Sequence, residues 1–204
     1  MTANALPDGV SRETLDRLEQ LEVLLAKWNP AINLVAKSTL ERTWDRHILD
    51  SAQLFELAPP ASRHWVDMGS GGGFPGLVIA CLAAELRPNL SITMIEVDQR
   101  KATFLRQASR DLGLNPTIIV NRIETAAPQN ADVLSARALA AFPALLGFAQ
   151  RHLGAGGIAL FPKGATWRDE VAEARKDWHF DITPHPSATD PQGAILAVKA
   201  ITHV

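Results

Sequence analysis

The segment from residue 65 to residue 76 reads WVDMGSGGGFPG, an apolar approach followed by four glycines in five positions. Glycine has no Cβ, so it accepts positive φ angles and lets another molecule come close to the backbone. The apolar residues before the glycines predict a buried strand, and Phe-Pro-Gly after them predicts a tight turn and the start of a helix. A chain that omits side chains at this point is expected to bend around a ligand.

From His64 onwards, strand and helix patterns alternate along the chain. The predicted strands are 64–68, 91–96, 117–121, 132–136, 157–161, about 179–183 and 195–201, and the predicted helices are about 75–86, 99–112, 141–153 and 167–177. This alternation with apolar strands predicts an α/β fold with a largely parallel sheet covered on both faces. Ligands of such folds bind at the carboxyl ends of the strands, where the glycine segment lies.

The N-terminal part has a different pattern. Residues 11–28 carry leucines at three- and four-residue steps, which predicts an amphipathic helix with Ser11 as its N-cap and Asn29-Pro30 as its end. Two short helices at about 39–44 and 46–57 follow, and Pro59-Pro60 closes the segment. We therefore predict a helical extension over residues 1–60 and the sheet domain over 61–204.

The composition limits the function classes. The 204 residues include a single cysteine, Cys81, which leaves no internal disulfide and fits a reducing cytosol. The N-terminus has no secretory signal pattern, and the longest apolar run is far shorter than the roughly 20 residues of a membrane span. A net charge of −2 argues against a strongly basic nucleic-acid binder, and the six scattered histidines show no metal-ligand spacing. We expect a cytoplasmic, monomeric protein without a metal or a membrane partner.

Two nucleotide-binding patterns fit the glycine segment. Residues 71–76 satisfy GxGxxG with Glu96 20 positions further on, as in dinucleotide-binding enzymes, which would make the chain a nicotinamide-dependent oxidoreductase. Residues 67–73 satisfy the acidic-x-GxGxG pattern of S-adenosylmethionine enzymes, with Asp67 as the acidic residue and Gly69 and Gly71 in the loop. In either case the carboxylate of Glu96 is expected to bind ribose hydroxyls. The spacing does not choose between the two.

Three features favour S-adenosylmethionine. Asp67 would put a carboxylate near the loop, where a cationic amino acid is attracted and a pyrophosphate is repelled. No second domain of dehydrogenase size follows, and the two late strands suit a seven-stranded, Rossmann-like methyltransferase sheet that ends in an antiparallel hairpin. Arg137, at the end of the fourth strand, would then face the crevice and bind a carboxylate or a phosphate.

Several segments together resemble one family. They are WNPAINLVAKST (28–39), RHILDSAQLF (46–55), VDMGSGGGFPG (66–76), IEVDQRKATFLRQ (95–107), NRIET (121–125), LSARALA (134–140) and FPKG (161–164). In this order they are similar to the bacterial small-subunit rRNA guanine-N7 methyltransferase family, also called glucose-inhibited division protein B.

The resemblance implies methyl transfer from S-adenosylmethionine to N7 of a guanine in the 530 loop of 16S rRNA, with the RNA or the small ribosomal subunit as partner. It also implies roles for single residues. Gly69 and Phe74 would contact the cofactor, Glu96 would hold the ribose, Ile123 and Glu124 would border the adenine, and Arg137 would lie beside the methionine end. Val35 and Ala36 depart from the family's usual residues, which leaves the N-terminal RNA contacts less defined.

The residues agree with a ring-nitrogen target. Guanine N7 carries a lone pair and no proton, so its methylation requires positioning rather than a base. Cys81 lies inside a predicted helix rather than where a nucleophile would be needed, and SARAL stands where amino-group methylases have an Asn/Asp-Pro-Pro-aromatic turn. A non-enzymatic RNA-binding assembly factor is a further alternative.

Candidate RNA contacts come from two segments. Arg46 and His47 share a helix face with Asp50, and Lys163 follows the fifth strand, where it would meet phosphate. For His47 the sequence favours a structural role over contact with the guanine. A basic face of the helix at 99–112 is another candidate for backbone phosphate.

Overall fold

The computed structural model describes residues 6–204 and contains one sheet of seven strands. The strands are β1 (His64–Met68), β2 (Ser91–Ile95), β3 (Thr117–Ile119), β4 (Ala131–Ala136), β5 (Leu153–Lys163), β6 (Trp178–Pro186) and β7 (Ala194–His203). Their order is β3-β2-β1-β4-β5-β7-β6. Strands β1 to β5 pair in parallel, whereas β7 runs antiparallel between β5 and β6. The predicted seven-stranded α/β fold and its antiparallel end are confirmed.

Helices cover both faces of the sheet. They are α1 (Arg12–Ile32), α2 (Asp50–Ala52), α3 (Gly76–Leu86), α4 (Gln99–Asp111), α5 (Phe142–His152) and α6 (Trp167–Ala174). Side chains alternate along β1, so that Trp65 joins the core under α1, α3 and α4 while Val66 joins the core under α5 and α6. Because helices cover both faces, a ligand is expected at the carboxyl ends of the strands, as in other folds of this class.

The predicted end of the first helix is wrong. The helix passes through Pro30 to Ile32 and ends at Asn33, whose φ of 47° is left-handed and whose N–H bonds to the Asn29 carbonyl. The Asn29 side chain accepts the N–H of Val35 at 2.8 Å and fixes the exit of the chain. A proline in the last turn removes one hydrogen bond only, and this capping compensates for it. Ser11 is the N-cap, as predicted.

Other boundaries differ at strand ends. β3 stops at Ile119 rather than residue 121, because it is an edge strand that pairs with β2 over three residues. β5 is longer than predicted, since β4 and β7 pair with it on its two sides. The last predicted helix ends at Ala174 rather than residue 177.

A run of short helical turns joins α1 to the sheet. It consists of a 3-10 turn (Lys37–Arg42), a π-helical turn (Trp44–Leu49), α2 and a second 3-10 turn (Phe55–Leu57). Ile48, Leu54 and Phe55 are buried in the same core as α3. The division at residue 60 remains a prediction, and the two parts share a core. Within residues 6–204 no helix has the length and apolar character of a membrane span, and no group of three potential metal-binding side chains comes together.

Candidate active site

The glycine loop turns at the carboxyl end of β1. The φ angles are 65° at Gly69, 53° at Gly71 and 87° at Gly73. Residues with a Cβ rarely adopt this region. The N–H groups of Gly69 and Ser70 both donate to the carbonyl of Ile95, at 2.8 and 3.2 Å. The loop is therefore fastened to the end of β2, and its own backbone lines the space above the sheet.

Asp67 differs from the prediction that it faces a ligand. Its side chain is fully buried and lines no cleft of the described residues. One carboxylate oxygen accepts the N–H of Gly76 at 3.1 Å and the other accepts the hydroxyl of Ser135 at 2.8 Å. The Ser135 oxygen in turn accepts the indole N–H of Trp65 at 2.9 Å. Asp67 thus braces the loop from within.

Glu96 lies where the prediction put it, one residue beyond β2. Its carboxylate accepts the N–H of Gly71 at 2.8 Å and the N–H of Asp98 at 2.8 Å, and the residue is only 6% exposed. Each carboxylate oxygen can accept more than one hydrogen bond. Glu96 therefore positions the glycine loop and still offers acceptors to a diol.

Three clefts meet above these residues. The Glu96 cleft, of about 460 Å³, also contains Gly69, Gly71 and residues 121–124. The Phe74 cleft, of about 340 Å³, lies between the glycine loop and residues 34–39. The Asp50 cleft, of about 310 Å³, lies between Arg46 and the segment 187–195.

Shared walls join these clefts into one crevice. Gly69, Gly71, Lys101 and Ala138 line both the Glu96 cleft and the Phe74 cleft. Thr39, His47, Arg137 and Ala138 line both the Phe74 cleft and the Asp50 cleft. A molecule along the glycine loop and a second molecule in the Asp50 cleft would therefore meet at His47 and Arg137.

Arg137 is the centre of this junction. One guanidinium nitrogen donates to the Arg46 carbonyl at 2.9 Å and lies 3.4 Å from the Asp50 carboxylate, and another donates to His47 Nδ1 at 2.7 Å. Its charge centre lies 5.4 Å from the ring centroid of Phe74. The side chain is only 18% exposed. Arg137 is therefore held in one place by a largely buried ion pair and two hydrogen bonds.

His47 is buried and its protonation state follows from its partners. Because Nδ1 accepts a hydrogen bond from Arg137, Nε2 carries the proton and donates to Thr39 Oγ1 at 2.8 Å. Burial, together with the charges of Arg137 and Arg46, lowers the pKa of His47 to about 4. The ring stacks on Phe74 with centroids 5.1 Å apart. His47 is therefore neutral at pH 7, with both nitrogens engaged.

The two other predicted RNA contacts differ from each other. Arg46 is exposed on the rim of the Asp50 cleft and forms no ion pair within residues 6–204. Lys163 also lines this cleft, but its ammonium binds Glu170 at 2.7 Å and its side chain is only 11% exposed. The expectation of a lysine available to phosphate at this position is corrected by that ion pair.

Two residues that the sequence analysis missed hold the wall of the Glu96 cleft. Ile123 and Glu124 line this cleft, and their contact with an adenine stays a prediction. His152 on α5 bonds through Nε2 to the Ile123 carbonyl at 2.8 Å, and Arg151 donates two hydrogen bonds to the Ala126 carbonyl. His152 is completely buried, and burial lowers its pKa. The sequence carried no signal for this, since His152 is one of six scattered histidines.

The crevice fits the predicted cofactor. A Cβ built on Gly71 would meet nothing closer than the Gly69 carbonyl oxygen at 3.8 Å, so the backbone there is open to a ligand. The size of the Glu96 cleft is within the usual range of ligand pockets. The helix N-terminus that binds pyrophosphate in dinucleotide enzymes is occupied here by Asp67, which accepts the N–H of Gly76. The dinucleotide alternative is therefore disfavoured by the site itself.

The sheet order gives the same result. Dinucleotide-binding sheets have the order 3-2-1-4-5-6, whereas here β7 is inserted antiparallel between β5 and β6. The fold and the site define an S-adenosylmethionine-dependent methyltransferase. A methyltransferase of known structure from Geobacter sulfurreducens superposes with a TM-score of 0.60 at 18% identity, over 95% of this chain and 90% of that one. Magnesium protoporphyrin IX methyltransferase from Synechocystis PCC 6803, solved with bound S-adenosylmethionine, has a TM-score of 0.60 at 10% identity, over 94% and 98%.

Sequence comparison identifies the family. The model of the family described as rRNA small subunit methyltransferase G matches residues 14–196, and the chain belongs to this family. The ribosomal RNA small subunit methyltransferase G of Ruegeria pomeroyi (strain ATCC 700808 / DSM 15171 / DSS-3) is 52% identical over 202 residues, which cover 99% of this chain and 98% of the relative. The family expected from the motifs is thus confirmed.

The open backbone at Gly71 yields a first prediction. Gly71→Val should weaken S-adenosylmethionine binding at least about tenfold in calorimetry, because the branched side chain would project into the crevice. Gly113→Ala is the matched control, since Gly113 has a similar φ of 65° and a Cβ there would meet nothing within 4 Å. The control should lose some stability through backbone strain and keep its affinity. Unchanged affinity in the valine variant would contradict the proposed site.

The buried carboxylate gives a pH-dependent prediction. Burial raises the pKa of Asp67 to about 6 from an ordinary 3.8. The folded protein therefore binds this proton more tightly, and the stabilisation present at low pH is lost as pH rises from about 4 to 6. The free energy of unfolding of the native protein relative to Asp67→Asn should fall by about 3 kcal/mol across this window. The difference in melting temperature between the two proteins measures this fall.

His47 titrates in the opposite sense. For this reason the prediction concerns the difference in melting temperature between the native protein and Asp67→Asn. Its stabilisation is present above its ordinary pKa of 6.5 and is lost as pH falls towards its folded pKa of about 4. Because His47 is present in both proteins, its contribution cancels. A difference in melting temperature that stays constant from pH 4 to 7 would refute the assignment to Asp67.

His152 provides a third prediction. His152→Phe keeps a ring and removes the donor to the Ile123 carbonyl, so we expect cofactor affinity to fall about 2- to 10-fold, the usual range for one hydrogen bond. The rate at saturating cofactor should change little. His64→Phe is a suitable control, because His64 lies at the end of β1 away from the crevice, where it bonds to Thr93 of β2. Equal loss of cofactor affinity in both variants would attribute the effect to general destabilisation.

Proposed function

We propose that this chain transfers a methyl group from S-adenosylmethionine to N7 of a guanine in the 530 loop of 16S rRNA. One observation carries the choice of N7: within residues 6–204, the walls that the Phe74 and Asp50 clefts share contain no free base. Both nitrogens of His47 are engaged, and the carboxylate of Asp50 accepts hydrogen bonds from Thr189 and Gln53 besides its contact with Arg137. Guanine N7 needs no base, since its lone pair is already free. Family membership supports the same substrate.

The cofactor contacts follow from the two clefts along the glycine loop. Gly69, Gly71 and Phe74 would lie along its length, and Glu96 would hold the ribose hydroxyls. Ile123 and Glu124 would border the adenine in the Glu96 cleft, whereas Arg137 would stand at the methionine end in the Phe74 cleft. Bound there, the cofactor supplies an electrophilic methyl group.

The chain contributes position and charge to the reaction. Arg137 is fixed by three contacts, so it can hold the guanine and the reacting end of the cofactor in one geometry. Methylation at N7 makes the base cationic, and a neutral His47 avoids adding a further positive charge at that point. Exposed Arg46 lies on the rim, where an RNA phosphate would pass. Arg46 is the RNA contact that we retain from the sequence.

The setting of the reaction completes the proposal. We place the chain in the cytoplasm as a monomer, with 16S rRNA or the small ribosomal subunit as its partner. Support for the RNA partner comes from the family name of its relatives.

The test combines methyl transfer with mapping of the product. Radiolabelled S-adenosylmethionine is supplied with small subunits from a strain that lacks this gene, and the RNA is then cleaved at N7-methylguanine. A single cleavage in the 530 loop is expected. Absence of N7-methylguanine from the RNA would refute the proposal, and no more than one methyl group transferred per protein would favour the non-enzymatic alternative.

Variants of Arg137 and Arg46 should distinguish an effect on methyl transfer from an effect on RNA binding. Arg137→Ala is expected to lower kcat by about 100-fold, the scale of a lost positioning contact. Arg46→Ala should mainly raise KM for the RNA, because the side chain is exposed on the rim. Melting temperatures of both variants control for folding, and Arg137→Lys should recover little, since a lysine cannot keep the three contacts. Normal kcat in a destabilised Arg137→Ala would make Arg137 structural.

A further inference from the structure

A fourth cleft, of about 590 Å³, lies at the same edge of the sheet and is the largest of those described. Its walls come from the start of α6, the end of β6 and the start of β7. The side chains that matter are Trp167, Arg168, His185, Pro184, Pro186 and Pro191. Neither an aspartate nor a glutamate lines it among residues 6–204. We call it the Trp167 cleft.

Trp167 and Arg168 form a stacked pair inside this cleft. The guanidinium carbon of Arg168 lies 4.3 Å from the centroid of the Trp167 ring. Trp167 is half-buried against the core under α5 and α6, so its ring is held, while Arg168 is exposed. Nucleobases stack on both aromatic rings and guanidinium planes. The pair therefore provides two flat surfaces, an aromatic ring and a guanidinium plane, on which a base can stack. The guanidinium also offers a positive charge to a phosphate.

The Trp167 cleft adjoins the Asp50 cleft. Ala194 lines both, and the segment 187–193 separates them, with Ser187 and Asp190 on one side and Pro191 on the other. This segment is fixed rather than loose. Thr189 donates to Asp50 at 2.7 Å, and Gln53 accepts the N–H of Ala188 at 2.9 Å. A strand that leaves the Asp50 cleft across Ala194 would enter the Trp167 cleft directly.

We propose that the Trp167 cleft binds a nucleotide of the single-stranded RNA substrate that lies next to the methylated guanine, with its base stacked on Trp167 and Arg168. The proposal rests on the proposed function, and it takes the target guanine to lie in the Asp50 cleft, beside Arg137. It adds a second recognition subsite, which would read an unpaired neighbour of the target and so select a loop over a duplex. The absence of carboxylates from the described walls of the cleft matches an anionic occupant.

The test measures binding of a 16S rRNA fragment that contains the 530 loop, at fixed salt and with S-adenosylhomocysteine in place of the methyl donor. Trp167→Ala should raise the Kd for this RNA about 5- to 100-fold, the scale of one stacked base, without changing cofactor affinity. Trp167→Phe should recover much of the loss, because it keeps a stacking face. Equal RNA affinity in native protein and Trp167→Ala would overturn the proposal.

Arg168 has a matched control about two helical turns further along the chain. Arg175 is also exposed, and it stacks on Phe180 at 4.8 Å, away from the clefts. Arg168→Ala should weaken RNA binding several-fold more than Arg175→Ala, although both remove one charge. Equal effects would attribute Arg168 to general electrostatic attraction and overturn its place in the subsite.

Abasic RNA links the cleft to one nucleotide. Removal of the base adjacent to the target on the occupied side should weaken binding to native protein and have no effect on binding to Trp167→Ala. If removal of a base and the Trp167→Ala substitution weaken RNA binding additively at every position next to the target, the proposal is overturned. Native protein that binds this RNA through Trp167 and yet produces no N7-methylguanine would refute the proposed function and leave the subsite intact. Formation of N7-methylguanine by the native protein, together with unchanged RNA affinity in Trp167→Ala, would support the proposed function and refute the subsite.

Discussion

The buried carboxylate of Asp67 is the constraint on which the rest of the site depends. It joins the end of β1 to the first N–H of α3 through Gly76 and to β4 through Ser135. A Cβ on Gly76 would lie 2.8 Å from this carboxylate and 2.7 Å from the sulfur of Met94, so only glycine allows the helix to start there. One interaction therefore fixes the direction of the glycine loop and fills the helix N-terminus that a pyrophosphate would otherwise use.

Because the loop is fixed from below, its upper surface can be shared by the clefts on either side. The Glu96 and Phe74 clefts have Gly69 and Gly71 in common, and the Phe74 and Asp50 clefts have His47 and Arg137 in common. The N-terminal turns supply His47, whereas Arg137 directly follows β4. The helical extension is thus part of the site, and its packing against α3 determines how close the two substrates can come.

The sequence predicted what local patterns encode and missed what distant partners decide. Strand alternation, the glycines and Glu96 were recognisable because their signals lie within a few neighbouring residues. The roles of Asp67 and Arg137 depend on Ser135, 68 residues from Asp67, and on His47, 90 residues from Arg137. Lys163 was misjudged although its partner Glu170 is only seven residues away, because the two side chains meet only after the chain turns into α6. The end of α1 was missed because Asn33 and Asn29 compensate for a proline that usually terminates a helix.

The distribution of charge connects this architecture to the proposed chemistry. Transfer to guanine N7 moves a positive charge from the methyl donor to the base, so the junction needs to tolerate a cation rather than create an anion. At the junction the charges are compensated: Arg137 faces Asp50, Lys163 binds Glu170, and His47 is held neutral. Among residues 6–204, Arg46 and Arg168 carry exposed positive charge without an ion pair, where phosphates would pass, and Lys101 lies unpaired on the wall that the Glu96 and Phe74 clefts share. A neutral junction with positive charge around it draws in RNA without opposing the charge that the reaction places on the guanine.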